Sequence, residues 1–290
     1  MLRLRSYAKI NLYLDVLGKR PDGYHNLETI FQSIDLFDEI ELDVADGDVL
    51  FTCEHQGVPQ GEDNLVVRAA RLLQRETGSS EGARIYLQKR IPVGAGLAGG
   101  SGNAAAALVG LNALWDLRIS RARLLELGLE LGSDVPFCLT GGTQAATGRG
   151  EVLDALPPLD NVWFALVHPP IHVSTASVFN DPAMTHSTEH VENDKSPSFR
   201  RAIEHVRRGE WSNAVFNRLE PIVFARHPEL AEAKSRLIAA GCIAAVMSGT
   251  GPTLVGVCPS REHAKRAARA QRWASSTAVP MSRGVELIQA

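Results

Sequence analysis

The segment Pro92-Val93-Gly94-Ala95-Gly96-Leu97-Ala98-Gly99-Gly100-Ser101-Gly102-Asn103-Ala104-Ala105-Ala106-Ala107 places five glycines within nine positions, 94 to 102. A β-like run, Ala83 to Lys89, precedes it, and an Ala-rich helical run, Asn103 to Trp115, follows. Glycine admits positive φ and lets backbone approach a ligand closely. A helix start offers unpaired N–H groups and a partial positive charge. Strand, glycine loop and helix start together form an anion site, suited to a nucleotide phosphate.

Three familiar loops compete for this reading. Gly94-Ala95-Gly96-Leu97-Ala98-Gly99 matches G-x-G-x-x-G, but the acidic residue near the required distance, Asp116, follows a helical run instead of a strand. A P-loop needs Gly-Lys-Ser/Thr, which is absent from the sequence. His-Arg-Asp and Asp-Phe-Gly, the marks of protein kinases, are absent too.

The rest of the chain narrows the class. With 290 residues it can hold one large domain or two ordinary ones. A net charge of −3, with scattered basic residues, gives no electrostatic case for nucleic acid. Cys53, Cys138, Cys242 and Cys258 show no metal-ligand spacing and read as reduced thiols of a cytoplasmic protein. No signal peptide and no bilayer-length apolar run is legible. His186-Ser187-Thr188-Glu189-His190 matches the inverted zinc motif, yet no apolar periodicity surrounds it, so we assign no metal site.

Residues 7–17 alternate as a strand, with Lys9 and Asn11 on one face about 7 Å apart. Tyr24-His25 follows a turn; an aromatic face can stack on a base, and imidazole can read its polar edge. Residues 38–44 and 48–53 read as a hairpin about Asp46-Gly47. Asp63-Asn64 caps a helix running through Glu76, which with the hairpin predicts packing only, and Ser120 caps another helix through Leu131. In Gly132-Ser133-Asp134-Val135-Pro136-Phe137, Pro136 predicts a short helix, and Asp134 at its start is either a cap or a functional carboxylate. The pair Pro157-Pro158 suggests a boundary, and a buried-type strand spans 162–167. Residues 180–198 read as a long polar loop. Helical patterns cover 199–208, 212–224, 229–240 and 261–272, and two short strands are expected after the last of them. Ser248-Gly249-Thr250-Gly251-Pro252 is a second glycine turn, between strands at 243–247 and 253–257.

Taken in order, these segments resemble the GHMP kinases. The glycine loop resembles their phosphate loop, Ala8-Lys9-Ile10-Asn11-Leu12 their N-terminal motif, and Met247-Ser248-Gly249-Thr250-Gly251 their third motif. Gly-Tyr-His-x-Leu-x-Thr at 23–29 and Thr175 to Phe179 are similar to one branch, whose acceptor is a cytidine diphosphate-linked methylerythritol. The resemblance implies ATP, with Mg²⁺, as phosphoryl donor. It implies transfer to the 2-hydroxyl of that acceptor, in the non-mevalonate route to isoprenoid precursors. It makes Asp134 and Lys9 catalytic, and residues 92–103 (Pro92, Val93, Gly94, Ala95, Gly96, Leu97, Ala98, Gly99, Gly100, Ser101, Gly102, Asn103) the ATP site. Acceptor contacts fall to Asn11, Tyr24, His25, Thr175, Phe179, Ser248, Gly249, Thr250 and Gly251, with Phe179 closing over cytosine opposite Tyr24. No protein residue stands out as a metal ligand, with Ser101 the one candidate.

Three departures from the branch pattern matter. Ala98 stands for a Gly, a mild change where φ is negative. Gly102 stands for a Ser and removes a hydroxyl from the loop. Arg218 stands for an Asp. The expected fold is α+β, with domains at 1–157 and 158–290 and the active site in the cleft between them. A monomer or weak homodimer is expected. Other GHMP acceptors, a non-catalytic nucleotide sensor and a dinucleotide oxidoreductase are the rival readings. The Tyr24-His25 pair argues against the first, and Lys9 with Asp134 against the second.

Overall fold

The computed structural model describes residues 1–189 and 194–289. His190, the last residue of the inverted zinc motif, lies outside them, as do the other residues of 190–193 within the expected loop 180–198.

The first half is built on two long strands, β1 (Leu2–Lys19) and β2 (His25–Ala45), paired antiparallel through the turn at 20–24. Both are buried along most of their length. Register shifts at Tyr7/Ala8, Asn11/Tyr13 and Val16/Gly18 bend the ribbon, and the second interrupts the strict alternation expected over 7–17. Next come β3 (Val49–Thr52), α1 (Leu65–Thr77) and β4 (Gly82–Gln88). The expected hairpin of 38–44 with 48–53 does not form. β4 lies between them, antiparallel to β2 and parallel to β3. The α1 connection makes this possible, because it carries the chain from β3 to a parallel neighbour.

Asn64 caps α1, accepting from the Val66 N–H at 2.8 Å, and Gly78 ends it at φ 69°. The next helix, α2 (Gly99–Leu114), begins four residues earlier than expected, so Gly99, Gly100, Ser101 and Gly102 belong to its first turn. Ala104 to Leu108 are fully buried, which lets α2 lie closely between the sheet and the helices α1, α3 (Arg121–Leu131) and α4 (Val135–Thr140). The hairpin β5 (Thr143–Thr147) and β6 (Val152–Ala155) joins the sheet beside β2.

The second half opens with β7 (Trp163–His168) and α5 (Thr175–Phe179). It continues through α6 (Pro197–Arg208), α7 (Trp211–Ala214), β8 (Phe216–Asn217), α8 (Glu220–Arg226) and α9 (Pro228–Ala239). The single helix expected over 212–224 is therefore broken. At the break, Asn217 donates to the carbonyls of Met247 and Gly249, both at 2.7 Å, while its own side-chain oxygen takes the Leu219 N–H. Strands β9 (Ala244–Met247) and β10 (Leu254–Cys258), helix α10 (Arg261–Arg269) and β11 (Ala274–Ala278) follow. The second sheet has the antiparallel order β11-β7-β10-β9. Where two closing strands are expected, three occur. The last two, β12 (Pro280–Met281) and β13 (Val285–Gln289), return to the first sheet beside β2 and β1.

The halves share a core. Ile10, Leu12, Ile30 and Ile34 from the first sheet pack with Phe164, Leu166, Val255 and Val257 from the second, and with Phe199 and Trp211. Burial of this size is the main stabilising term and fixes the two sheets against each other. All four cysteines are free and buried; Cys242 and Cys258, sixteen positions apart, bring their sulfurs within 3.0 Å at the base of the β9–β10 hairpin.

Candidate active site

Two cavities meet at the glycine loop. One, of about 330 Å³, is lined by residues 92–101 and Asn103, and faces a wall made of Gly57–Pro59, Asp63–Leu65, Leu87 and Lys89. The other, a cleft of about 450 Å³, holds Lys9, Asn11, Asp134, Arg149, Thr175, Phe179, Gly249 and Thr250 among its lining. Gly94, Gly96 and Ala98 belong to both. The loop is thus the partition between two compartments, and a group passing from one to the other must pass over it.

No side chain caps α2. Its first-turn N–H groups and the positive end of a 16-residue helix dipole therefore face the smaller cavity, an arrangement suited to phosphate. Ala98, at the N-cap, lies at φ 54°, in the left-handed region. The condition for a mild Gly-to-Ala change is not met, and the strain is about 1 kcal/mol. Gly102 points elsewhere than expected. A Cβ there would face Ser6 Cβ and the Tyr7 carbonyl of β1, both at an ordinary 3.5 Å, away from the cavity. A serine hydroxyl at this position would not enter the phosphate site. Gly102→Ala is accordingly expected to raise stability by about 0.5–1 kcal/mol, through helix propensity, with turnover unchanged. Thermal unfolding and steady-state rates check it; a loss of turnover would place residue 102 against the phosphates after all.

Lys9 and Asp134 meet across the floor of the cleft. The Lys9 ammonium is 3.6 Å from Asp134 Oδ2 and donates to Asn11 Oδ1 at 2.7 Å. It also lies 4.8 Å from the centre of the Phe31 ring. Asn11 is held in turn, donating to Thr29 Oγ1 at 2.8 Å, and that hydroxyl donates to the Tyr13 carbonyl at 2.6 Å. Lys9 and Asn11 are buried, whereas Asp134 is partly open to the cleft. Asp134 occupies the N-cap position of α4 but makes no side-chain capping bond, so its carboxylate is available to a ligand.

The third motif reaches the loop from the second half. Ser248 is fully buried and makes two structural bonds: it donates to the Gly96 carbonyl at 2.8 Å and accepts the Asn11 N–H at 3.2 Å. It ties the motifs together instead of lining the cleft. Gly249 and Thr250 do line it, and Thr250 Oγ1 is 3.0 Å from Thr175 Oγ1. Gly251, followed by a cis peptide to Pro252, packs on Met247 away from the cleft.

The expected base pocket is only partly assembled. Phe179 lines the cleft, but its ring lies on His25, with centroids 5.1 Å apart, instead of facing Tyr24. His186 stacks on His25 at 5.7 Å. Burial, then the neighbouring charges of His186 and Lys19, hold the His25 pKa below the usual histidine range. A neutral imidazole offers one donor and one acceptor. Tyr24 is half-exposed, and the Arg149 guanidinium covers its ring at 4.5 Å. Neither Tyr24 nor His25 lines the cleft, but each touches a residue that does.

Sequence reasoning missed the far wall of the smaller cavity. It assigns packing alone to the Asp63-Asn64 cap and its helix and makes no assignment for 57–62, because cap and helix signals say nothing of what stands opposite them. Lys89 was missed too. It forms a buried ion pair with Asp38, whose other oxygen accepts the N–H groups of Arg90 and Ile91 at 2.6 and 2.8 Å. Arg218 pairs with the buried Asp15 through two guanidinium nitrogens, so the Asp-to-Arg departure has a local partner outside the cleft.

Metal donors are sparse. Among the described residues no group of three or more His, Cys, Asp or Glu side chains could hold a metal ion. Ser101 lines the smaller cavity and Asp134 the cleft. That set fits an ion carried on nucleotide phosphates better than one caged by protein.

A glycine partition suited to phosphate, with an acid–cation pair beyond it, is the arrangement that phosphoryl transfer to a small molecule requires. The chain belongs to the GHMP kinase family: residues 64–142 match the GHMP kinases N terminal domain, and residues 199–272 the GHMP kinases C terminal domain. It is a small-molecule kinase that uses ATP. The 4-diphosphocytidyl-2-C-methyl-D-erythritol kinase of Moorella thermoacetica is 45% identical to it, over 92% of this chain and 94% of that protein. The enzyme of the same name from Alkaliphilus metalliredigens is 42% identical, over 92% and 91%. A crystal structure of 4-(cytidine 5'-diphospho)-2C-methyl-D-erythritol kinase superposes with a TM-score of 0.81 at 35% identity, covering 97% of this chain and 99% of that one. A homoserine kinase from Cytophaga hutchinsonii, with a TM-score of 0.78 at 19% identity and 99% and 97% coverage, shares the fold. Among the described residues no helix is long and apolar enough to cross a membrane.

Proposed function

We propose that the protein transfers the γ-phosphoryl group of ATP to the 2-hydroxyl of 4-diphosphocytidyl-2-C-methyl-D-erythritol. The observation that carries this reading is the Lys9–Asp134 pair at 3.6 Å, in a cleft that shares its glycine wall with the phosphate-binding cavity. The acceptor is taken from the relatives' names, and the Tyr24-His25-Phe179 cluster beside the cleft supports it.

In this reading the first turn of α2 and the loop backbone hold the ATP phosphates, and the 57–65 wall encloses the adenosine. Asp134 accepts the proton of the acceptor hydroxyl as that oxygen attacks phosphorus. Lys9, fixed by Asn11, offsets negative charge at the transferring group. Thr250 and Gly249 bring the second half to the same place. Mg²⁺ arriving with ATP would supply charge neutralisation, and Ser101, in the lining of the smaller cavity, would be its protein contact. The free, buried thiols support a reducing, cytoplasmic setting.

The test is ADP release with ATP, Mg²⁺ and the diphosphocytidyl substrate, beside homoserine and mevalonate. Turnover with the cytidine substrate alone is expected. Turnover only with a control would keep the kinase and discard this acceptor.

A further inference from the structure

This inference rests on the acceptor reading above and extends it to the middle of that molecule. Between its cytosine and its reacting hydroxyl the acceptor carries a diphosphate, with a charge near −2 that must find a counter-ion inside the cleft. Lys9 is already engaged by Asn11 and Asp134. Among the described residues, the other permanent cation lining the cleft is Arg149.

Arg149 is placed for this task by its turn. It sits between Gly148 at φ 72° and Gly150 at φ 105°, at the tip of the β5–β6 hairpin. The Gly148 carbonyl accepts the Leu27 N–H at 2.6 Å, which clamps the tip to β2 two residues from His25. The Arg149 guanidinium rests 4.5 Å above Tyr24. Its nearest carboxylate contact, Glu151 Oε1, is 3.9 Å away, beyond a hydrogen bond. The group is therefore oriented by an aromatic face, and its planar N–H edge is left for an oxyanion. Guanidinium suits this role, because it can give two parallel bonds to phosphate oxygens while stacked.

We infer that Arg149 binds the diphosphate of the acceptor, bridging the base-binding cluster at Tyr24-His25 and the reacting end at Lys9-Asp134. It is a specificity-determining residue that takes no part in the chemical step.

The test compares cytidine and cytidine diphosphate as inhibitors competing with the acceptor at saturating ATP. In the wild type the diphosphate binds more tightly than the nucleoside. Arg149→Gln is expected to weaken cytidine diphosphate, and to raise KM for the acceptor, by about 10- to 100-fold. Cytidine inhibition and KM for ATP should stay within about threefold, and Arg149→Lys should recover part of the loss. Equal weakening of nucleoside and diphosphate would overturn the inference, leaving Arg149 as a support for Tyr24 alone. Unchanged diphosphate binding would overturn it as well. A wild-type protein that binds neither compound would instead remove the acceptor reading on which it rests.

Discussion

Replacement of Asp134 by Asn is expected to lower kcat about 10³-fold, while KM for ATP changes by no more than about threefold. Asn keeps the shape of the side chain but cannot accept the acceptor's proton. The carboxylate has no capping duty. It stands at the start of α4 and faces Lys9 at 3.6 Å. A capping Asp would bring a stability loss of about 1 kcal/mol on replacement. Here thermal unfolding should move by less than about 0.5 kcal/mol. The combination separates the two readings of an Asp at a helix start: large in rate and small in stability for a catalytic base, the reverse for a cap. If the Asn variant retained more than about a tenth of wild-type kcat, the base role assigned by the usual size of such effects would be lost.

Gly96→Ala should damage both properties. Gly96 lies at φ 76°, where a Cβ adds about 1–2 kcal/mol of backbone strain. That Cβ would also fall 2.3 Å from the Ser248 carbonyl and 3.0 Å from that of Gly251. Neither obstacle is a flexible side-chain tip; both are backbone of the motif that crosses from the second half. Either the glycine loop or the 248–251 turn must retreat, and the Ser248 bonds to Gly96 and Asn11 stretch with it. We expect a stability loss of about 3 kcal/mol. A kcat loss of about 100-fold should accompany it, since a displacement near 1 Å misaligns donor and acceptor compartments. Gly102→Ala, in the same loop-helix segment but facing β1 with room to spare, is the matched control. Wild-type stability and rate in the Gly96 variant would mean that the two motifs are not held rigidly together.

These two residues illustrate what the sequence makes legible. The glycine loop before a buried helix, the Asn64 and Ser120 caps, and Asp134 before a Pro-containing turn all follow from local chemistry, and the structure places each of those elements there. The helix start at Gly99 was less legible, because glycine reads as loop although the first helical turn tolerates it. What lay beyond reach depends on partners far along the chain. β4 enters between β2 and β3 only because α1 returns the chain there. The helix expected over 212–224 breaks because Asn217 reaches carbonyls some thirty residues away. Ser248 resembles a substrate contact until Gly96 is seen beneath it. The wall at 57–65 carries no signal, since enclosing a cavity asks little more of a side chain than size and shape.

The return of β12 and β13 to the first sheet bears on how the molecule is made. Tyr7 is hydrogen-bonded to Glu286, 279 positions later, and β1 has β13 as its outer neighbour. During synthesis, β1 leaves the ribosome long before that neighbour exists, with its outer edge of N–H and C=O groups open to foreign strands. The first sheet cannot close until residues 280–289 arrive, so the half of the protein translated first is the last to be sealed. Quality control acting on a nascent chain would find its vulnerable edge at β1, and would find it protected only once β13 has been made.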